Sequence, residues 1–209
     1  MLGIRRRLGA APRKKTPATA DRIVAMAPVA SERLPQFRDR ALLLLGFASA
    51  MRRSELVALD IEDIEFVSEG LRVTIRNSKT DQEGHGTVIA IPHGLVACPV
   101  AALTAWIEAA GIMAGPIFRP IAKGQHIQDT RLTDRSVANI IKAHAARAGL
   151  DPASFAGHSL RSGFLTSAAA RGASIFKMAN QSRHRSMDTL RGYVRDAEIF
   201  KDHAGTGLL

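Results

Sequence analysis

Residues 34–49 predict a helix that is apolar on nearly every face. Its apolar side chains include Leu42, Leu43, Leu44, Leu45 and Phe47. A helix with this pattern is stable only when other elements enclose it or when it crosses a membrane. The longest apolar run, residues 41–50, is far shorter than the roughly 20 residues that a membrane span needs. We therefore expect this helix at the centre of a globular core, and we expect no membrane association.

The hydrophobic period changes from helical to alternating after residue 60. One face of the alternating segment carries Leu71, Val73 and Ile75. This alternation indicates a half-buried strand. A second strand is expected at residues 87–91 and a third at 61–67, with turn-forming residues at 81–86. The sequence thus predicts a small antiparallel three-stranded sheet placed among helices.

Helical patterns occupy most of the remaining chain, and capping residues, proline and glycine mark their ends. Besides 34–49, helices are expected at residues 19–26, from 54 onward, and at 99–110, 133–148, 159–171, 174–181, 187–195 and 197–203, with a loop at 116–128. The predicted fold class is α+β and mainly helical.

The chain is strongly basic. Its 209 residues include 29 Lys and Arg against 19 Asp and Glu, which gives a net charge of +10. Such a surplus favours a polyanionic partner, because neutralising phosphates releases counterions. A basic protein without a nucleic-acid role is the alternative. The single cysteine excludes an internal disulfide and a zinc site built from several cysteines.

The first 20 residues differ in composition from the rest. Residues 1–20 hold six basic residues, two prolines and two glycines, which is typical of a solvated arm or linker. We expect one domain at residues 21–209, and we expect that a domain that would precede the arm is missing from this polypeptide. Because the N-terminus lacks the apolar stretch of a secretory signal, we expect a cytoplasmic protein.

The chemistry of the chain centres on its single tyrosine, Tyr193. Its neighbours in sequence are basic: His184, Arg185, Arg191 and Arg195. A phenol, whose ordinary pKa is about 10, becomes an effective oxygen nucleophile when a base takes its proton or cations stabilise its anion. Taken alone, however, a tyrosine near a helix end is better explained by packing, with its hydroxyl in solvent.

Arginines suit the charge that develops on a phosphodiester under attack, because a guanidinium can bind two oxygens at once. Arg52 stands at a helix start, where a phosphate would also meet free backbone N–H groups. Glu55, three residues on, lies on the same helix face and can orient Arg52 or complete a cap. The sequence around Glu55 is also an ordinary helix start.

A second pair consists of His158 and Arg161, which are three residues apart and share one face of a helical turn. Together they can transfer a proton and bind a phosphate oxygen. Lys79, near the turn of the predicted sheet, is a mobile cation that can protonate a leaving oxygen. Each of these residues by itself is also consistent with a solvated surface group.

The order and spacing of these residues resemble the tyrosine recombinases, or phage integrase family. An arginine precedes Ser-Glu-Leu, a hairpin lysine and His-x-Leu-Arg follow, and a histidine stands nine residues before the tyrosine. The resemblance covers roughly residues 15–203. It implies a catalytic domain that breaks and rejoins double-stranded DNA and needs no metal, ATP or other cofactor.

The resemblance also implies roles for individual residues. Tyr193 would attack the scissile phosphate, forming a 3′-phosphotyrosyl bond and freeing a 5′-hydroxyl. Arg52 and Arg161 would bind the non-bridging oxygens, and Glu55 would support Arg52. The free hydroxyl of a partner strand would then reverse the step.

Three further residues receive roles from the same resemblance. His158 would act as general base or acid toward the tyrosine, Lys79 would act as general acid at the leaving 5′-oxygen, and His184 would hydrogen-bond the phosphate and pack against the site. In this family C-terminal tails dock onto neighbouring protomers. The resemblance therefore implies a tetramer on paired DNA sites, formed through residues 197–209, and a nucleoid-associated protein.

The sequence departs from the family pattern in three places. Ala50 and Arg183 stand where glycine is common, and we expect the usual N-terminal DNA-clamping domain to be missing, with residues 1–20 in the place of its linker. Two other functions stay open: a type IB topoisomerase, which uses the same chemistry to relax supercoils, and an inactive DNA-binding remnant.

Overall fold

The computed structural model describes residues 15–28, 33–76, 86–201 and 204–207. The helices in these residues are α1 (Ala20–Met26), α2 (Leu34–Ala48), α3 (Arg53–Ala58), α4 (Pro99–Ala110), α5 (Asp134–Arg147), α6 (Ser159–Ala170), α7 (Ile175–Ser182) and α8 (Met187–Ala197). The strands are β1 (Ile64–Val67), β2 (Gly70–Ile75), β3 (Thr87–Pro92), β4 (Ile121–Ala122) and β5 (His126–Ile127). The predicted α+β, mainly helical class is confirmed.

Helix α2 lies inside the main core, as its apolar pattern predicts. Leu42 and Leu45 are fully buried. They belong to one continuous apolar cluster with residues of the sheet, α4 and α5, among them Val73, Trp106 and Ile141. Burying one leucine stabilises a fold by about 2 kcal/mol. The enclosed helix therefore holds the surrounding elements in place.

A glycine in α2 brings two other helices close together. A Cβ atom at Gly46 would lie 2.7 Å from Cδ1 of Leu160 and 2.9 Å from Cδ2 of Leu56. Leu56 belongs to α3 and Leu160 to α6, so both helices approach the backbone of α2 at this point. The absence of a side chain at Gly46 therefore allows the first turns of α3 and α6, with Arg52 and Arg161, to lie near each other.

The larger sheet is antiparallel with the strand order β1-β2-β3, as predicted. Its inward-facing residues on β2 are Leu71, Val73 and Ile75. The first strand is shorter than predicted, because Ile61–Asp63 form a turn of 3-10 helix ahead of it. Lys79 and residues 81–85 of the predicted turn lie outside the described residues.

The chain packs against α6 before the first helix begins. The backbone N–H of Ala18 donates to the carbonyl of Ser159 at 2.9 Å, and that of Thr16 donates to Ser154 at 2.8 Å. A Cβ atom at Gly163 would lie only 1.9 Å from the carbonyl oxygen of Ala18, so glycine is required there. Packing thus begins within residues 15–20 of the segment predicted as an arm, while residues 1–14 lie outside the described part.

A second, smaller apolar cluster joins α6, α7 and α8. Its buried members are Leu165, Ala169, Met178 and Leu190. Tyr193 packs on it from α8, and the cluster is separate from the main core. The predicted nucleophile therefore stands on a different apolar support from the two arginines.

Two local predictions are wrong. Residues 116–128 are not a plain loop, because β4 and β5 pair across left-handed residues at Gly124 and Gln125. The helix predicted at 197–203 does not form over 198–201, where the chain makes turns. Ile199 and Phe200 are exposed, and a short helix without apolar contacts is not stable. None of the described helices is long and apolar enough to cross a membrane.

Candidate active site

Arg52 and Glu55 form the start of α3. The backbone N–H of Arg52 donates to Oε2 of Glu55 at 2.9 Å, and Nη1 of Arg52 donates to Oε1 at 2.5 Å. This places a carboxylate on the free N–H groups of the helix start, as predicted. Burial by itself would raise the pKa of Glu55, but the backbone bond from Arg52 and the charge of Arg183 outweigh it and lower the pKa. Glu55 is therefore ionised at neutral pH.

Arg161 is the most deeply buried charge of the site, with only 1% of its surface exposed. Its Nη1 donates to the carbonyl of Ala50 at 2.6 Å. Ala50 has a left-handed φ of 49°, which is unfavourable for an L-residue by about 1 kcal/mol. Among the described residues, no carboxylate pairs with Arg161. Burial, followed by the charges of Arg52 and Arg183, lowers the pKa of Arg161 to about 10, so it remains charged at neutral pH.

His184 contacts the same guanidinium. Its Nδ1 lies 3.1 Å from Nη2 of Arg161 and 2.7 Å from Oγ of Ser182. A guanidinium only donates, so this nearer ring nitrogen accepts, and we assign the proton of the neutral ring to Nε2. Burial and the charges of Arg161 and Arg52 lower the pKa of His184 to about 4. His184 is therefore a neutral hydrogen-bond donor at pH 7.

His158 stands immediately before the first residue of α6 and is exposed. Desolvation, followed by the charges of Arg161 and Arg52, lowers its pKa. The imidazole is neutral at pH 7 and can accept a proton. The position and the protonation state both suit a general base that is open to an incoming substrate.

Tyr193 is half-buried on α8, against the smaller apolar cluster. Burial raises its pKa, and the opposing charge of Arg161 only partly offsets this effect. The phenol is therefore protonated at neutral pH, and it becomes nucleophilic only when a base removes its proton. The electrostatic interaction places Tyr193 within range of Arg161.

Arg183 is part of this cluster, although the sequence indicated no role for it. Its Nη2 donates to Oε2 of Glu55 at 2.7 Å, and its Nη1 donates to the carbonyl of Gln181 at 2.9 Å. Arg183 has a left-handed φ of 56°. The only signal in the sequence was an arginine where the family pattern has glycine, directly before His184.

The structure thus brings together six of the seven predicted residues: Arg52, Glu55, His158, Arg161, His184 and Tyr193. The seventh, Lys79, lies outside the described residues. Three guanidinium groups and one carboxylate leave a surplus of two positive charges when both histidines are neutral. Chemically, the site is suited to an anion with several oxygens beside a tyrosine hydroxyl.

Comparison with known proteins gives a consistent result. Residues 17–198 match the phage integrase family. An integrase/recombinase xerD homolog of Selenomonas ruminantium is 44% identical over 207 residues, which are 98% of this chain and 61% of that protein. Tyrosine recombinase XerC of Herpetosiphon aurantiacus is 28% identical over 187 residues, or 88% of this chain and 56% of that protein. The chain therefore spans about three fifths of the length of these relatives.

Solved structures with this fold include two recombinases. XerA recombinase has a TM-score of 0.69 at 17% identity, covering 93% of this chain and 65% of that one. XerH site-specific recombinase, in a post-cleavage complex with palindromic difH substrate, has a TM-score of 0.68 at 16% identity, covering 93% and 54%. At these identities the likeness concerns the fold. Together with the match over residues 17–198, it establishes that the chain belongs to the phage integrase family of tyrosine recombinases.

Proposed function

We propose that this chain is the catalytic part of a site-specific DNA recombinase that cuts and rejoins strands through a 3′-phosphotyrosyl bond at Tyr193. The observation that carries the proposal is Arg161, a buried guanidinium without an ion pair among the described residues. An uncompensated buried charge is destabilising by several kcal/mol. A DNA phosphate would supply the missing anion, and Arg52, His158 and His184 surround the place where it would bind.

In the proposed reaction, the hydroxyl oxygen of Tyr193 attacks phosphorus while its proton passes to His158. The bond from phosphorus to the 5′-oxygen breaks, and that oxygen leaves with a proton as a 5′-hydroxyl. The supply of that proton by Lys79 stays a prediction from the family resemblance. One phosphodiester is exchanged for another, so the step needs no external energy source, and a 5′-hydroxyl from a partner strand can reverse it.

The positive groups would act on the transferring phosphate. Arg52 and Arg161 would each bind a non-bridging oxygen, and His184 would donate from Nε2. Preorganised donors of this kind are usually the largest catalytic contribution, since they need no reorganisation as charge develops. Glu55 would act through Arg52, which it holds by two bonds.

The remaining proposals concern organisation. A basic arm at residues 1–20, a catalytic domain at 21–209 and nucleoid association remain predictions. Assembly into a tetramer on paired DNA sites through the C-terminal tail is proposed. It is supported by the exposed apolar side chains of Ile199 and Phe200, which gain stability when a neighbour covers them.

The test is a search for a covalent adduct. The protein is incubated with a pool of short duplexes that carry a randomised centre and a nick, so that the released 5′-hydroxyl fragment diffuses away. We expect an SDS-stable, protease-sensitive adduct linked to a DNA 3′ end. Tyr193→Phe should form none, while its binding to the same DNA persists.

The other outcomes separate the alternatives. An adduct that persists in Tyr193→Phe would refute the mechanism. DNA binding by the wild type without any adduct would favour an inactive DNA-binding protein. Relaxation of supercoiled plasmid by monomers at low protein concentration would favour topoisomerase chemistry.

A further inference from the structure

Arg183 occupies an unusual position for a charged residue. It caps the C-terminus of α7 with φ 56° and ψ 42°, a conformation that glycine adopts far more readily than arginine. Its side chain is nevertheless only 6% exposed. A buried charge in a disfavoured backbone conformation persists only when a specific interaction holds it.

That interaction is the ion pair with Glu55. Nη2 of Arg183 donates to Oε2 of Glu55 at 2.7 Å, between residues that are 128 positions apart in sequence. The same oxygen accepts the backbone N–H of Arg52 at 2.9 Å. One carboxylate, itself 3% exposed, therefore joins the start of α3 to the end of α7. The residue that follows Arg183 is His184.

In the described part of the chain, polar side-chain bonds join the end of α7 to the rest of the site, and one of them is the contact of His184 with Arg161 at 3.1 Å. The apolar contacts of α7 are made within the smaller cluster on α6, which is separate from the main core. A further polar connection comes from Gln181, whose Nε2 donates to the carbonyls of Ala48 at 2.9 Å and Ala90 at 3.1 Å. The placement of α7 and α8 relative to α3 thus depends strongly on side-chain bonds.

We propose that Arg183 is a positioning residue, whose ion pair with Glu55 fixes the turn between α7 and α8, and with it His184 and Tyr193, against the start of α3. The kinetic consequence rests on the proposed DNA-cleaving function. Arg183 would not need to touch the DNA. It would hold the groups that do at the distances that attack on phosphorus requires.

The charge of Arg183 supports this placement. It contributes to lowering the pKa of Arg161 and of His184. The guanidinium of Arg183 is therefore within electrostatic range of Arg161 and of His184, which contact each other in the site. An arginine that served only as a surface cap would not have this effect.

The kinetic test uses Arg183→Gly, Arg183→Lys and Glu55→Gln. Arg171→Gly is the matched control, since Arg171 is the exposed C-cap residue of α6. The measurement is single-turnover adduct formation on a nicked duplex selected with the wild type, over a range of DNA concentrations. We expect Arg183→Gly to lower the maximal rate about 10- to 100-fold, with a much smaller change in the half-saturating DNA concentration.

Two further variants test whether the pair acts as a unit. Arg183→Lys keeps the positive charge and can still donate a hydrogen bond to Glu55, so its maximal rate should be higher than that of Arg183→Gly. The double variant Glu55→Gln/Arg183→Gly should be no slower than the slower single variant, because residues that act together are non-additive. Arg171→Gly should cleave like the wild type. A higher half-saturating DNA concentration with an unchanged maximal rate in Arg183→Gly would instead indicate DNA binding and would overturn the positioning role.

Amide hydrogen exchange of the free protein gives a readout that does not depend on cleavage. Arg183→Gly and Glu55→Gln should both accelerate exchange over residues 175–197 and leave α4 unchanged. If the wild type forms no Tyr193-dependent adduct, the proposed function fails, and exchange alone decides the positioning role. Wild-type exchange over 175–197 in Arg183→Gly would overturn that role.

Discussion

Replacing Arg161 with methionine should stabilise the free protein while removing the centre of its anion site. Arg161 is buried and has no ion pair among the described residues. Its pKa of about 10 lies below the ordinary arginine value of about 12.5, a difference that corresponds to about 3 kcal/mol against the charged form in the folded state. Because the folded-state pKa is the lower one, this penalty is fully present below about pH 10 and is relieved only as the pH rises above it.

The methionine variant also loses a bond. The hydrogen bond from Arg161 to the carbonyl of Ala50 at 2.6 Å is charge-assisted, and its loss costs about 2 kcal/mol. The net expectation is a stabilisation of about 1 kcal/mol, or roughly 2–4 °C in Tm for a chain of this size. Replacing buried charged side chains with apolar residues of similar volume is often neutral or stabilising.

The assay is thermal unfolding at pH 7, followed by circular dichroism, with and without sulfate at constant ionic strength. Sulfate should raise the Tm of the wild type more than that of Arg161→Met, because an anion that binds only the folded state adds its stabilisation to the general effect of sulfate exclusion from the protein surface. Arg131→Met is the control. Arg131 donates to the carbonyl of Val57 at 2.8 Å and to Oδ1 of Asp60 at 2.7 Å, so its replacement should lower the Tm. A Tm that falls in Arg161→Met as much as in the control would refute the reasoning.

Three more predictions test the surroundings of the site. Gly163→Ala would place Cβ 1.9 Å from the carbonyl oxygen of Ala18, and this clash with the backbone should lower the free energy of unfolding by about 2–3 kcal/mol. Urea unfolding measures the change. As the control, Gly192→Ala adds a Cβ that meets no neighbouring group within 4 Å, so it should stabilise its helix by up to about 1 kcal/mol. Ala50→Gly should raise stability by up to about 1 kcal/mol, because it relieves a left-handed φ of 49°; an unchanged or lower urea midpoint would contradict this. His184 should titrate near pH 4 by NMR. Because its folded-state pKa is lowered, its contribution should reduce stability as the pH falls from the unfolded-state pKa toward 4. A midpoint near 6.5 would show that neither burial nor the neighbouring charges act on it.

Much of the site could be predicted because its residues follow local rules. Arg52 and Glu55 lie at a helix start, and His158 and Arg161 share one helical turn, so spacing alone sets their relative positions. The apolar pattern of residues 34–49 predicted the enclosed helix for a similar reason, since a helix that is apolar all round has few stable environments.

The remainder depends on contacts between distant segments. The pairing of Arg183 with Glu55 joins residues 128 positions apart, and the left-handed conformation of Arg183 is one that sequence rules assign to glycine. The separate helix predicted at 197–203 does not form over 198–201, where Ile199 and Phe200 are exposed instead of packed. The helix propensity of a segment does not show whether tertiary contacts are available to stabilise the helix.

The division of the site between two apolar supports has a consequence for its function. The arginines stand at the starts of α3 and α6, which Leu56 and Leu160 hold against Gly46 in the main core. Tyr193 stands on the smaller cluster, and polar bonds hold that part of the chain to the start of α3. Because side-chain bonds are individually weak compared with the burial of a core, we expect the nucleophile to shift more easily than Arg52 and Arg161. A substitution of Arg183 should therefore slow the attack by Tyr193 while leaving Arg52 and Arg161 able to bind sulfate, whereas a substitution of Arg161 should remove both the attack and the binding.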